Sequence, residues 1–299
     1  MSEFAEPSVG PPVRAAPIPW SGRRLRGMAG PALLRHMIRA CLLQVEPNAA
    51  AIAQGGAGPE HGHQLRVGLR RLRAALRAMA PSGAGLPPDW EAALRPVFDA
   101  LGESRDRHVM ATTLAPRLAA AGAPLADLRA PSAALLAAPA RLVRAARFTD
   151  LLRALRAFAA MPGAGAGPDG AGEGLEHLVA CLRRLARQVR RGARRFDTLD
   201  CERRHRLRKR LKRLRYLAEF AAPAFGHADV QPWMKAAARA QDALGRHVEL
   251  SLAARRFAAL AAADPRAWFA VGWLQARQAR SARAAGRALA GLEKVDRFW

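Results

Sequence analysis

The chain has 299 residues, 51% of them hydrophobic and only 6% aromatic, enough to bury the core of one large domain or two smaller ones. Its 49 Lys and Arg against 24 Asp and Glu leave a formal net charge of +25 and a pI near 11.7, so its natural partners are polyanions: DNA, RNA, an anionic membrane surface or polyphosphate. No uncharged apolar run approaches the ~18 residues of a membrane span, and Cys41, Cys181 and Cys201 are too scattered for a disulfide framework or a zinc site, which leaves free thiols in a reducing cytosol.

Ala and Leu dominate the apolar residues while β-branched side chains are scarce, which predicts an all-α fold. Residues 1–26 hold Pro7, Pro11, Pro12, Pro17 and Pro19 and then Arg23, Arg24 and Arg26, and read as a mobile basic arm. Glu3 and Glu6 stand where a signal peptide would need a basic, then apolar, stretch. Helical periodicity begins near Pro31, and the first helix carries His36 and Arg39, with Asn48 after it.

The next helix, expected over 59–80, is amphipathic. Leu65, Leu69, Leu72 and Leu76 form an apolar stripe, and His63, Arg66, Arg70, Arg73 and Arg77 form a ladder of cations beside it. Arg71 stands apart, about 80° round the helix from His63. Residues 161–172, a Gly/Pro-rich stretch, form a linker between halves over about 27–160 and 173–299. After it, Arg183, Arg187, Arg190 and Arg194 share one face of a helix expected over 175–196.

A third basic helix, expected over 199–222, repeats the pattern of the first. Leu207, Leu211 and Leu214 make its stripe; His205, Arg208, Lys212 and Arg215 make its ladder, flanked by Lys209 and Arg213, with Tyr216 nearby. The offset between the two copies is 142 residues, and Asp99-Ala-Leu101-Gly102 matches Asp242-Ala-Leu244-Gly245 at an offset of 143. Two motifs keeping almost one spacing predict a duplicated unit, folded as two pseudo-symmetric antiparallel bundles of about four helices each.

Cations three and four residues apart repel by a few tenths of a kcal/mol per pair in an isolated helix, and no acid lies within either ladder. The ladders therefore read as unpaired faces that a linear polyanion would satisfy, against the plainer alternative of a solvated basic face.

These residues resemble the CHAD domain (conserved histidine α-helical domain). The pattern His-x-x-Arg-x-x-x-Arg/Lys-Arg-Leu-Arg occurs at 63–73 and 205–215, and Leu-Arg-Tyr-Leu-Ala-Glu-Phe at 214–220 and Gln-Asp-Ala-Leu-Gly at 241–245 are also similar to that family; Asn48 and Arg105-Asp106 are lesser matches. The likeness runs from about 28 to 299. It implies two four-helix bundles around a basic cavity or groove that binds inorganic polyphosphate, often at polyphosphate granules in the cytoplasm. Where the family's second Leu-Gly motif often continues to an Asp, this chain has Gly245-Arg-His247-Val-Glu249, with Glu249 standing where the first copy has Asp106.

Other readings compete for the same residues. His63 and His205 are either ligand donors or structural residues that cap a helix or bond across the pseudo-axis. A metal at His61 and His63 is disfavoured because no Cys or carboxylate cluster stands at ligand spacing. Asp99, Asp106, Asp242 and Glu249 read as salt-bridge partners that orient arginines rather than as general acid/base pairs. No P-loop, Gly-x-Ser-x-Gly, His-Asp dyad or triphosphatase-type Glu-x-Glu-x-Lys is present, so neither catalysis nor a cofactor is expected. Nucleic acid is a secondary partner, since a lone tyrosine leaves little stacking platform. An adaptor surface for acidic proteins at Trp268, Trp273, Phe298 and Trp299 competes with a core or plug role. The oligomeric state stays open.

Overall fold

A computed structural model of the chain describes residues 10–15, 22–82, 87, 89–124, 135–162 and 172–299, and all regular structure among them is helical. Of the expected linker, 163–171 lies outside the described residues, as do 1–9 and 16–21 of the expected arm. A short helix α1 (Gly22–Arg26) leads into α2 (Gly30–Gln54), α3 (Pro59–Met79) and α4 (Trp90–Val109). A π-type turn over Met110–Leu114 continues α4 into the short α5 (Ala115–Ala119). Then come α6 (Ala137–Arg144), α7 (Ala146–Ala160), α8 (Glu173–Arg194), α9 (Cys201–Ala221), α10 (His227–Leu260) and α11 (Ala267–Glu293). The three basic helices α3, α8 and α9 lie within two residues of their expected bounds. No helix among the described residues is long and apolar enough to cross a membrane.

The chain packs as two compact units. Of the described residues, the first holds 10–15, those of 24–115, 135–162 and 172–177, and its long helices are α2, α3, α4 and α7. Helix α3 is packed on both α2 and α4, and Leu65, Leu69 and Leu72 of α3 are buried, as are Cys41, Val45 and Ile52 of α2. Trp90 meets Phe158 edge to face at 5.5 Å, tying α4 to α7. Gly55 closes α2 at φ 91°, a left-handed conformation that glycine adopts without a Cβ penalty, and its N–H donates to the Ile52 carbonyl.

The second unit holds 178–299 with 116–124, and its long helices are α8, α9, α10 and α11. Leu207, Leu211 and Leu214 are buried as the periodicity of α9 requires, along with Phe220, Leu244 and Phe257. Trp233 meets Phe298 at 5.8 Å and Trp299 at 4.6 Å, so the C-terminal aromatics plug this unit. Of the four aromatics considered for an adaptor surface, Trp268 is the one that stands well exposed, at 59%.

The expected mobile arm is corrected in part. Asn48, fully buried, holds Val13 by both backbone groups: its Oδ1 accepts from Val13 N–H at 3.2 Å and its Nδ2 donates to the Val13 carbonyl at 2.8 Å. Arg23, Arg24 and Arg26 sit on α1, whose Leu25 is fully buried while the three arginines face solvent. A buried leucine inside the basic cluster is what anchors it.

Candidate functional site

Helix α3 starts from a local capping arrangement. His61 Nδ1 accepts from the Gly58 N–H at 3.2 Å, so Nε2 carries the proton and donates to the Gly10 carbonyl at 3.0 Å. Both ring nitrogens are thereby used, and His61 has no lone pair left for a metal. Among the described residues no group of three or more His, Cys, Asp or Glu is placed to hold one.

With its leucines buried, α3 turns its ladder toward α4. The guanidinium carbons of Arg66, Arg70 and Arg73 lie 4.7, 5.4 and 4.9 Å from the centre of the Phe98 ring. A ring face attracts a cation by roughly 0.5–1 kcal/mol at a partly exposed site, so one phenyl group offsets part of the repulsion among three neighbouring arginines. Two turns earlier on α4, Glu91 accepts from Arg73 at 2.9 Å and from Arg77 Nε at 2.6 Å. Burial pushes the pKa of the Glu91 carboxyl up, but the hydrogen bonds and charges of Arg77 and Arg73 outweigh it and hold the pKa below the ordinary carboxylate value. One turn beyond Phe98 is Gly102, where a Cβ would stand 2.9 Å from Arg66 Nη2. The Arg66 guanidinium thus lies flat on bare helix backbone.

Helix α9 repeats the seating with different contacts. Its N-cap is Asp200, which accepts from the Arg203 N–H at 2.6 Å, so His205 does not cap it. Arg208 lies against Gly245, where a Cβ would be 3.4 Å from Nη2, and donates to Glu249 at 2.7 Å. Arg215 donates to Gln241 at 3.0 Å and pairs with Glu219 at 2.8 Å. Gln241 stands one residue before Asp242, as Phe98 stands one residue before Asp99.

The expectation that both ladders are wholly unpaired is therefore corrected: Glu91, Glu219 and Glu249 each take ladder arginines. Glu249 orients Arg208 as expected of it, whereas Asp99 pairs with Arg95 of its own helix, at 3.4 Å. Two residues expected near the ladders lie inside. Arg71 is 2% exposed and donates to Gln44 Oε1 at 3.3 Å, and Tyr216 is 3% exposed beneath Arg215. Arg39 spans from α2 to donate to the Ala159 carbonyl at the end of α7, at 2.6 Å.

The remaining cations face solvent to differing degrees. Arg70 and Lys212 are half-buried at equivalent positions, Arg213 and His63 are half-buried too, and Lys209 is exposed. Arg183, Arg187 and Arg190 are exposed along one side of α8 and have no acidic partner among the described residues, while Arg194 at its end pairs with Glu293 at 3.7 Å. His205 is half-buried with Nδ1 enclosed and unbonded, and burial, then Lys209 and Arg208, lower its pKa against the smaller opposing pull of Glu202, so it stays neutral near pH 7.

The segment Gly245-Arg-His247 builds an internal brace that the sequence motif does not announce. Arg204 donates to His247 Nε2 at 2.9 Å and to the carbonyls of Phe196 and Asp197, and stacks on Phe196 at 4.9 Å. Arginine can only donate, so His247 carries its proton on Nδ1 and donates to Ser281 Oγ at 2.9 Å, which donates to the Gln278 carbonyl. Every polar atom in the chain of contacts has its partner. Glu91, Phe98 and this brace were not apparent from the ladders alone; the register of Phe98 with Gln241 is the signal that points to the first pair.

The CHAD-domain family model matches residues 36–258. The chain belongs to the CHAD-domain family. It is also similar to the crystal structure of the CHAD domain from the plant Ricinus communis, with a TM-score of 0.78 and 27% identity over 96% of this chain and 98% of that one. No curated protein matches it. Both ladders and the α8 stripe fall inside the matched span of this CHAD domain, whereas α11 follows it.

Proposed function

We propose that this CHAD domain binds inorganic polyphosphate along its basic helix faces and carries out no chemical step on it. The observation that carries the reading is the matched seating of Arg66 on Gly102 and Arg208 on Gly245, at the offset of the two sequence motifs. Guanidinium groups laid on backbone and braced by Phe98, Glu91, Gln241 and Glu249 have already lost side-chain freedom, so less is lost when a phosphate chain docks. The acids sit behind the ladders as buttresses and leave Arg70 and Lys209 without an acidic partner among the described residues. The same seating supports the view that the two units arose by duplication. A bare phosphate chain fits better than nucleic acid, because Tyr216 is buried and Phe98 is already covered by arginines, leaving neither for base stacking. The family is associated with polyphosphate binding, and we place the protein in the cytoplasm on polyphosphate granules, which a fluorescent fusion would test.

Titration with long-chain polyphosphate, DNA and heparin at near-physiological salt tests the ligand. Tighter binding to polyphosphate is the expected result, and equal affinity for DNA overturns it. Arg70→Glu combined with Lys212→Glu abolishes binding while helicity by circular dichroism is kept. Polyphosphate that shortens during incubation would show a chemical step.

A further inference from the structure

We propose that α11 carries a second polyphosphate-binding face, separate from the ladders; this rests on the function proposed above. The buried residues of α11, among them Val271, Leu274, Ala285, Leu289 and Leu292, fall on one stripe. Arg280, Arg283, Arg287 and Lys294 fall on the opposite side, about half a turn round the helix, and all four are exposed. None has an acidic partner among the described residues, and the helix itself holds no Asp or Glu before Glu293. That contrasts with α7, the last helix of the first unit, where Arg153 pairs with Asp150 at 2.7 Å and Arg156 with Glu46 at 2.8 Å. Arg277 is held aside on the Trp273 ring at 3.5 Å.

A plainer account is available for part of the stripe. Cations in the last turn are stabilised by the negative end of the helix dipole, which covers Lys294. It does not cover Arg280 and Arg283, which stand more than two turns from the end. Their mutual repulsion costs a few tenths of a kcal/mol per pair, and the alanines between them offset it through helix propensity. From Arg280 to Lys294 the stripe spans about 21 Å, far more than a single phosphate and suited to a linear chain. At its end, Glu293 is bridged to Arg194 at the end of α8. That pair brings the C-terminal ends of α8 and α11 together, so the α11 stripe and the one formed by Arg183, Arg187 and Arg190 end near one another. A long chain lying on α8 runs on to α11, and a short one does not.

The test compares the full chain with the triple variant Arg280→Gln/Arg283→Gln/Arg287→Gln, using long-chain polyphosphate and tripolyphosphate over a range of salt. For the long chain we expect affinity to fall about tenfold and the slope of log K against log salt to fall by about two, as loss of three cation contacts with a linear polyanion requires. Tripolyphosphate affinity should stay within about twofold of the starting protein, and the corresponding Lys triple variant should keep long-chain binding. An unchanged long-chain affinity and slope overturn the second face while leaving the ladder function standing. Equal losses for both ligands place these arginines in the first site and also overturn it, as does a Lys variant as weak as the Gln variant. If the unaltered protein binds neither ligand, the proposed function fails and the second face fails with it.

Discussion

A methyl group added at Gly102 would stand 2.9 Å from Arg66 Nη2 and 3.4 Å from its Nε, whereas the same group at Gly245 would stand 3.4 Å from the nearest atom of Arg208. The two glycines serve one purpose with unequal tolerance. In each case the neighbour is the far end of a flexible side chain, so the fold can yield by moving the guanidinium rather than the helix. Alanine in a helix interior is itself favoured over glycine by roughly 0.5–1 kcal/mol. Gly102→Ala is therefore expected to leave the melting temperature unchanged or slightly higher and to weaken polyphosphate binding, because Arg66 leaves its seat. Gly245→Ala, where the contact is an ordinary one, should weaken binding less. Calorimetry paired with polyphosphate titration checks both variants. A lowered melting temperature with binding intact would make Gly102 a packing residue and nothing more.

At the scale of the helix, what the sequence could announce followed from periodicity, and what it could not came from neighbours. Leu65, Leu69, Leu72 and Leu76 are buried because a 3.6-residue repeat reports the packed face of α3 directly. Arg71 went the other way: α3 is packed on both α2 and α4, so burial extends beyond a single stripe and takes in a residue that one-sided packing would leave in solvent. Glu91 lies 18 residues from Arg73 and Glu249 lies 41 from Arg208, both on other helices, so no spacing within α3 or α9 reveals them, whereas Glu219 follows Arg215 by four residues on α9 itself. The same holds for the brace that joins α9, α10 and α11 through Arg204, His247 and Ser281. Burial, then the charge of Arg204, lowers the pKa of His247 from its ordinary 6.5. Below that pH the unfolded chain takes up a proton at this residue and the folded chain does not, so stability falls with pH until the folded-state value is reached and then levels. His36 and His205, also lowered first by burial, act in the same direction. Urea unfolding from pH 8 down to about 5.5 should show that decline. His247→Gln should be less stable at pH 8 yet decline less steeply, and an unaltered slope would remove His247 as a source of the acid lability.

For the molecule as a whole, a charge of +25 acts on stability and on binding with opposite salt dependence. The ion pairs that brace the ladders are few against 49 cations, and many of the remaining arginines, such as Arg183, Arg187 and Arg280, stand exposed. At low ionic strength, where the Debye length is about 30 Å at 0.01 M, these charges repel across the width of a folded unit; at 0.15 M it is about 8 Å, and only near neighbours matter. The melting temperature of the free protein is therefore expected to rise as sodium chloride is added over that range. A bound polyphosphate chain removes the same repulsion and adds mass-action stabilisation, about 2.7 kcal/mol when the ligand is at a hundred times its Kd. That Kd weakens with salt as counterions compete, so the extra stability it confers shrinks. Melting curves with and without polyphosphate should accordingly converge as salt rises, the free protein climbing while the ligand-induced increment falls. A free protein that instead loses stability with added salt would mean that the internal Arg–Glu pairs outweigh the surface repulsion. The exposed stripes would then be adequately solvated by themselves, and their spacing would cease to argue for a polyanion.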